Sequence, residues 1–437
     1  MPSKQAKIFR DPLYNYVSID RSRDGWLLEI LDCPEMQRLR RIHQLGVSYV
    51  TYPGADHNRL AHSLGVVHLM QQALQHLERT HENCVDGARQ ALLAGALLHD
   101  VGHGPFSHLF EPCLGIDHEQ WTQRVVLNPD SKINQILRGQ NRYLPQTIAE
   151  LIDTKNVDHP AWQKALLSSQ LDLDRMDYLR RDSLFTGGGY GHFDHFRILN
   201  TFELHGNDLV WSEQSKFAIE EYIFARYYMY QNVYLHKTTR GFEKLIEAMW
   251  TRAKKLQQDG VDVRWVPVLK DFFGTEEDKR SVEQYLRIEE FTVLQQIQTW
   301  EDHPDKPLSF FARSFLNRVR FTFVTPPPQP PGLLGLDYSE WEAKVCDVLR
   351  KKGYEPGVAY CLKDQVKGKY NQPYFPEKEL DDQSARNAIR LQAHNGHLAE
   401  ISSLLPRLKP LTEKPADEVR YYVPADARED VWKLGIT

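Results

Sequence analysis

Ala91 to Glu111 read ALLAGALLHDVGHGPFSHLFE. A run of Ala, Leu and Gly passes directly into His99-Asp100, and His103 and His108 follow closely. A helix that is apolar all round belongs inside the protein. Burying an imidazole and a carboxylate at its end costs on the order of several kcal/mol unless a partner or a metal neutralises them. Gly102, Gly104 and Pro105 stop the helix and turn its polar end toward a cavity. Two other segments carry the same kind of signal. In GADHNRLAHSLGVVHLM, a capping residue (Asp56 or Asn58) precedes Arg59 and His62, one helical turn apart on a shared face. In LDLDRMDYLRRD, Asp174, Tyr178 and Asp182 stand at i, i+4 and i+8, a row of two carboxylates and a phenol. Three helices offering polar groups from apolar surroundings indicate a site inside a helical bundle. Two imidazoles and two carboxylates suit one divalent transition metal (Mn, Fe, Co, Ni or Zn) better than Ca or Mg alone. Four protein ligands leave an octahedral ion two positions for water and substrate.

The elements that must position these groups are helices. Hydrophobic periodicity predicts them over 24–32, 35–45, 59–80, 88–101, 119–127, 145–153, 162–184, 216–258 (one bent helix or two) and 278–300. Short extended pieces, SYVTYPG and NDLVWS, interrupt them. TPPPQPPG (325–332) reads as a stiff connector, followed by a helix near 338–352 and strands near 357–363 and 419–423. The expected fold is mainly α, with a large helical domain over 1–320 and a Pro-rich connector and smaller C-terminal α+β lobe over 321–437. FTGGGYGHFD (185–194) lacks the lysine and the strand–helix context of a phosphate loop and reads as a gate beside the site or a plain turn. The aromatic run 226–234 could stack single-stranded bases but reads better as helix packing, Arg226 and Tyr234 excepted.

Bulk properties narrow the class. A length of 437 residues asks for more than one small core, and 41% hydrophobic content is that of an ordinary globular protein. A net charge of −5 argues against a general nucleic-acid binder, although MQRLRRIHQLG could line a local polyanion pocket. The five cysteines form no CxxC pair, which suits a reducing compartment. MPSKQAKIFRDP has no apolar signal segment and no stretch approaches membrane-spanning length, so a cytoplasmic location is expected.

The order His62 … His99-Asp100 … Asp174, within HNRLAHSLGV, HDVGHGPFSH and LDRMDYLRRD, resembles the HD superfamily of metal-dependent phosphohydrolases. The resemblance runs with gaps from KIFRDPLYNYVSID to SFLNRVRFTF and is strongest to the deoxynucleoside triphosphate (dNTP) triphosphohydrolase branch, here without a SAM domain. It implies an HD-domain helical core and His62, His99, Asp100 and Asp174 as metal ligands, with Mg an added partner of the substrate phosphates. It implies hydrolysis of a dNTP at the α-phosphorus, releasing deoxynucleoside and intact triphosphate. His108 partnered by Glu111, or else His103, would protonate the leaving oxygen; His118 and Glu119 match the family's HE pair. Arg59 would brace phosphate, Gln44 and Leu45 would lie against the deoxyribose, Tyr178 and Asp182 would contact the sugar, and Arg226 and Tyr234 would stand on the phosphate and base sides. Lys7, Asp32, Gln37 and Arg40 match a site for an activating, guanine-type nucleotide between subunits, which implies a homo-oligomer, dimer or tetramer. HD proteins with the same ligands also act as phosphomonoesterases or phosphodiesterases, and a nucleotide-binding regulatory protein with a vestigial site is the non-enzymatic alternative.

Overall fold

The computed structural model describes residues 5–81, 84–109, 111, 117–153, 159–327, 338–355, 357–367, 372–376, 388–413 and 417–435. Helices dominate. The helix Arg59–Thr80 starts where Asn58 accepts a hydrogen bond from the Ala61 amide, as the sequence predicts. The helix Arg89–Leu98 is buried from Ala91 to Leu98 and ends at His99. The helix Leu173–Thr186 is capped by Asp172, which accepts from the Arg175 amide at 2.7 Å, and is closed by Gly187 at φ +69°. Gly187 thus opens a plain turn out of the helix, and residues 188–194 form no phosphate loop.

Several predicted elements break where side chains compete for the backbone. The expected 162–184 helix is two, Ala161–Leu167 and Leu173–Thr186, because Asp172 takes the Ser169 and Arg175 amides at the join. The expected 278–300 helix is likewise split, into Val282–Leu286 and Glu290–Trp300. The stretch 216–258 is Lys216–Met229, a π-helical turn Tyr230–Tyr234, and Lys237–Gln258. The expected 35–45 helix shrinks to Pro34–Gln37 and a 3-10 turn Arg38–Arg41, since Arg38, Arg41 and His43 are drawn to residues 288–290. SYVTYPG is not extended; Ser48–Val50 is a 3-10 turn. Helices Lys132–Gln140, Pro267–Gly274 and Lys306–Leu316 lie outside the sequence-based set.

Among the described residues, nine strands accompany them. β1 (Ala6–Asp11) and β2 (Asn15–Asp20) form an antiparallel hairpin that the sequence did not announce. β3 (Phe202–His205) pairs β4 (Asp208–Ser212), which contains the expected NDLVWS piece. β5 (Phe321–Val324) and β6 (Leu362–Val366) flank β9 (Glu418–Pro424); Gly357–Tyr360, expected as strand, is a 3-10 turn. β7 (Arg390–Gln392) joins β4 in parallel and pairs β8 (Leu398–Glu400). Residues 328–332 of the connector lie outside the described residues. No helix among the described residues is long and apolar enough to cross a membrane.

The core falls into two clusters. One surrounds the 59–80 and 89–98 helices. The other unites the 237–258, 290–300 and 306–316 helices with the β5-β9-β6 sheet around Trp250 and Trp300, whose rings meet edge-on at 4.8 Å. Gly241 brings the 237–258 helix against the sheet, with a Cβ there only 3.1 Å from the Tyr422 ring. The sheet is therefore a wall of the second core. A chain ended at residue 320 should lose cooperative thermal unfolding or aggregate, as read by circular dichroism and light scattering.

Candidate metal centre and substrate cavity

The three helices bring His62, His99, Asp100 and Asp174 together. His62 Nε2 lies 2.9 Å from Asp174 Oδ1, 3.2 Å from His99 Nε2 and 3.7 Å from Asp100 Oδ2. His99 Nε2 lies 3.5 Å from Asp100 Oδ1 and 3.6 Å from Asp174 Oδ1. Bonds of about 2.0–2.2 Å to one ion place ligand atoms about 2.9–3.6 Å apart, so these spacings fit a single divalent centre. The tautomers agree. His62 Nδ1 donates to Asp177 at 2.7 Å and His99 Nδ1 donates to the Ala96 carbonyl at 3.0 Å. With a divalent ion bound and both rings neutral, these two bonds would leave each Nε2 lone pair free to ligate it. Burial would depress His62, but Asp174 and Asp177 outweigh it and hold it at about 10; Asp100 and Asp174 likewise raise His99. Burial would raise Asp100 and Asp174, but Arg59 beside the first and the two histidines beside the second hold both below the ordinary carboxylate range. The two carboxylates thus stay ionised beside the two imidazoles, a donor set suited to a metal.

Asp177, which the sequence reading passed over, backs this centre. Buried Arg181 grips Asp177 through Nε at 2.8 Å and NH2 at 3.0 Å, and reaches Asp11 at 2.8 Å. Gly65 makes room, because a Cβ there would collide with the Asp177 carboxylate. The spacing of Asp177 and Arg181 along one helix was legible; the role of Asp11 in a hairpin turn was not.

Around the ligands, Arg59 donates to Asp100 Oδ2 at 2.5 Å and to Ser107 Oγ at 2.6 Å. His103 Nε2 stands 3.2 Å from Asp100 Oδ1 and its ring stacks on His118 at 3.9 Å. Burial, Arg59 and His118 push His103 well below its ordinary value. Glu111, expected beside His108, accepts from His118 Nδ1 at 2.6 Å; burial lowers His118, yet Glu111 more than compensates and raises it. The side chain of His108 lies outside the described residues.

The loop bearing these histidines is strained and clamped. Phe106 and Ser107 take φ of +53° and +54°, costing about 1–3 kcal/mol each. Buried Arg38 donates to the His103 carbonyl at 2.7 Å and the Ile288 carbonyl at 2.8 Å, Tyr285 donates to the Gly102 carbonyl at 2.6 Å, and Glu290 accepts from the Phe106 amide at 3.1 Å. Glu290 also pairs with His43, whose other ring nitrogen meets Asp56; burial would lower His43, and the two acids hold it near 9.

A cavity of about 960 Å³ opens on the centre. Its wall includes Gln44, Leu45, Arg59, Tyr178, Asp182 and Tyr234, as well as His103, Glu111, His118 and Glu119. Asp182 is held between His57 at 2.7 Å and the Tyr234 hydroxyl at 2.9 Å. Gln44 Oε1 is buried without a partner among the described residues. Arg226 departs from expectation: it is buried beneath the Tyr230 ring at 5.7 Å and outside the cavity wall, with Nε unpartnered among the described residues. The wall also contains Tyr230, Leu235, Arg240, Gln365 and Val366, which periodicity could not assign to a site. A separate cavity of about 390 Å³ gathers Lys7, Arg10, Arg40 and Asn58. Gln37 joins Arg40 at 2.7 Å to the Leu31 carbonyl at 2.7 Å, beside the helix end at Asp32.

The HD domain model matches residues 59–182 and the HD associated region matches residues 193–271. The protein YwfO of Bacillus subtilis is 35% identical over 424 residues, 97% of this chain and 93% of its own. The deoxynucleoside triphosphate triphosphohydrolase SAMHD1 of Danio rerio is 26% identical over 290 residues, 57% of this chain and 46% of that protein. The crystal structure of a phosphohydrolase from Bacteroides thetaiotaomicron has a TM-score of 0.78 at 28% identity, covering 96% of this chain and 99% of that one. Replacing Gly65 with alanine should displace Asp177 and weaken metal binding roughly 10–100-fold, measured by calorimetric titration with Mn²⁺, with helical circular dichroism retained.

Proposed function

Because the chain belongs to the HD-domain family, in its dNTPase-like branch, we propose that it hydrolyses deoxynucleoside triphosphates to deoxynucleoside and inorganic triphosphate. The observation that carries this reading is one continuous cavity whose wall joins the metal tetrad and Arg59 to Gln44-Leu45 and to the Asp182–Tyr234 pair. Its size lies in the range of about 300–1,000 Å³ usual for small-molecule sites.

A divalent ion on the tetrad would supply Lewis acidity at the phosphoryl group and a water acidic enough to attack near neutral pH. Arg59, fixed by Asp100 and Ser107, turns its remaining N–H groups to the phosphates. Attack at the α-phosphorus breaks its bond to the 5′-oxygen, and the proton for that oxygen comes from Nε2 of His118, whose Nδ1–H is held by Glu111. His103, neutral and bound to Asp100, orients the carboxylate. Gln44 and Leu45 stand against C2′ of the sugar and crowd a 2′-hydroxyl, while Asp182 accepts the 3′-hydroxyl. The pocket of Lys7 and Arg40, with Gln37 bonded to Arg40 and Asp32 at the end of the preceding helix, is suited to an activating nucleotide between subunits of a homo-oligomer.

Incubating the protein with Mn²⁺ or Mg²⁺ and each dNTP and NTP, with and without a second nucleotide, tests the reading by chromatography. Deoxynucleoside with inorganic triphosphate is the expected product pair. Stepwise phosphate or nucleoside monophosphate would make it a different HD phosphohydrolase, and silence under every metal a regulatory protein. Changing His99 and Asp100 to alanine should abolish turnover and bound metal while preserving helicity. Glu111→Gln should cut kcat by roughly 10²–10⁴. It should also move the alkaline limb of the pH–rate profile to lower pH, because the acid form of His118 loses the carboxylate that raises it.

A further inference from the structure

Part of the cavity wall is left unused by this mechanism: Arg240 on the 237–258 helix, and Gln365 and Val366 at the end of β6. Their place relative to the ion follows from the 173–186 helix. Asp174 and Asp182 are eight residues apart on it, a rise of roughly 12 Å. Tyr234 meets Asp182 at that far end. Leu235 follows, and its carbonyl accepts from Arg420 of β9 at 2.8 Å. Arg420 lies opposite Asp364 of β6. The wall therefore runs from the ion, past the sugar-side pair, to the C-terminal sheet.

At this end Arg240 is engaged through three of its five N–H groups. Nε and NH2 donate to Asp364 at 3.0 and 2.5 Å, and NH1 donates to Glu243 at 2.6 Å. Asp364 is completely buried, and burial raises Glu243 above its ordinary value even beside Arg240. A guanidinium binds phosphate through the N–H groups on its edge, in a fork. Here the Nε–NH2 fork is taken by Asp364 and NH1 is held by Glu243, so the positive charge is matched. The flat face and the methylene stem make none of these bonds, and Val366 lies on the same cavity wall. A planar, charge-compensated group beside an aliphatic one is a stacking surface for an aromatic ring.

We propose that Arg240, fixed by Asp364 and Glu243, is the platform on which the nucleobase of the substrate stacks. The proposal rests on the dNTP reading above and deepens it. Stacking on a face reads no base edge, so all four dNTPs gain from it alike. The C-terminal sheet then acts in substrate binding, because Asp364 holds the platform flat.

The test compares Arg240→Lys, which keeps a charge for Asp364 but has no plane, with Val366→Ala, which leaves the ion pairs intact. The KM for each dNTP should rise about tenfold in Arg240→Lys and less in Val366→Ala, with kcat within about twofold of wild type. The KM for a base-free deoxyribose triphosphate and inhibition by inorganic tripolyphosphate should not change. An equal loss toward the base-free compound or tripolyphosphate would make Arg240 a phosphate contact and overturn the proposal; so would unchanged KM values for every dNTP in both variants. If the wild-type protein turns over no dNTP, the functional reading fails by itself. Equilibrium dialysis of dATP against tripolyphosphate then decides the platform separately: selective weakening of dATP in Arg240→Lys sustains it, and parallel weakening or none sinks it.

Discussion

Two imidazole nitrogens 3.2 Å apart, one on fully buried His62 and one on partly buried His99, beside two carboxylates, are the constraint on which this structure is organised. Neither ring can rotate away. His62 is tied through Nδ1 to Asp177, and His99 through Nδ1 to the end of its own helix. A divalent ion would satisfy both nitrogens at once, with Asp100 and Asp174 as the negative donors. The bundle therefore stores an electrostatic demand at its centre that a divalent ion satisfies. The rows behind it, Asp177 on Arg181 on Asp11, transmit rigidity from a surface hairpin to the metal ligands.

The second consequence is a strained loop held from behind. Phe106 and Ser107 adopt left-handed backbone conformations that L residues with side chains avoid. They persist because Arg38, Tyr285 and Glu290 satisfy the loop's carbonyls and amide from the buried side. Ser107 then stands where Arg59 needs an acceptor, and His103 where Asp100 needs a donor. Residues nearly two hundred positions downstream thus set the geometry of groups next to the metal. Buried Arg38 has no carboxylate of its own in this clamp; the carbonyls of His103 and Ile288 and the ring face of Tyr285, 5.2 Å away, stabilise it instead.

The C-terminal segments share in the same economy of contacts. β6 is held to the 237–258 helix by Arg240–Asp364, and β9 to Leu235, the residue after the π-helical turn that carries Tyr234, by Arg420. The C-terminal α+β region contributes Trp341, Tyr421 and Tyr422 to a core shared with the helices and residues to the cavity wall.

Taken alone, the sequence determined the chemistry and the helices that carry it. Periodicity located the 59–80 helix to the residue, and the apolar run before His99 marked a buried helix end, because burial of a charged pair is too costly to occur without purpose. The i, i+4, i+8 row of Asp174, Tyr178 and Asp182 was legible for the same reason: local geometry on one helix is fixed by 3.6 residues per turn. Tertiary structure decided everything that depends on pairs far apart in the chain. It assigned Glu111 to His118, withdrew Arg226 from the cavity wall, broke three predicted helices at competing side chains, and brought Arg240 and Val366 into that wall. Those outcomes follow from which distant groups satisfy one another's hydrogen bonds and charge in the folded chain, and no periodicity within a segment encodes that choice.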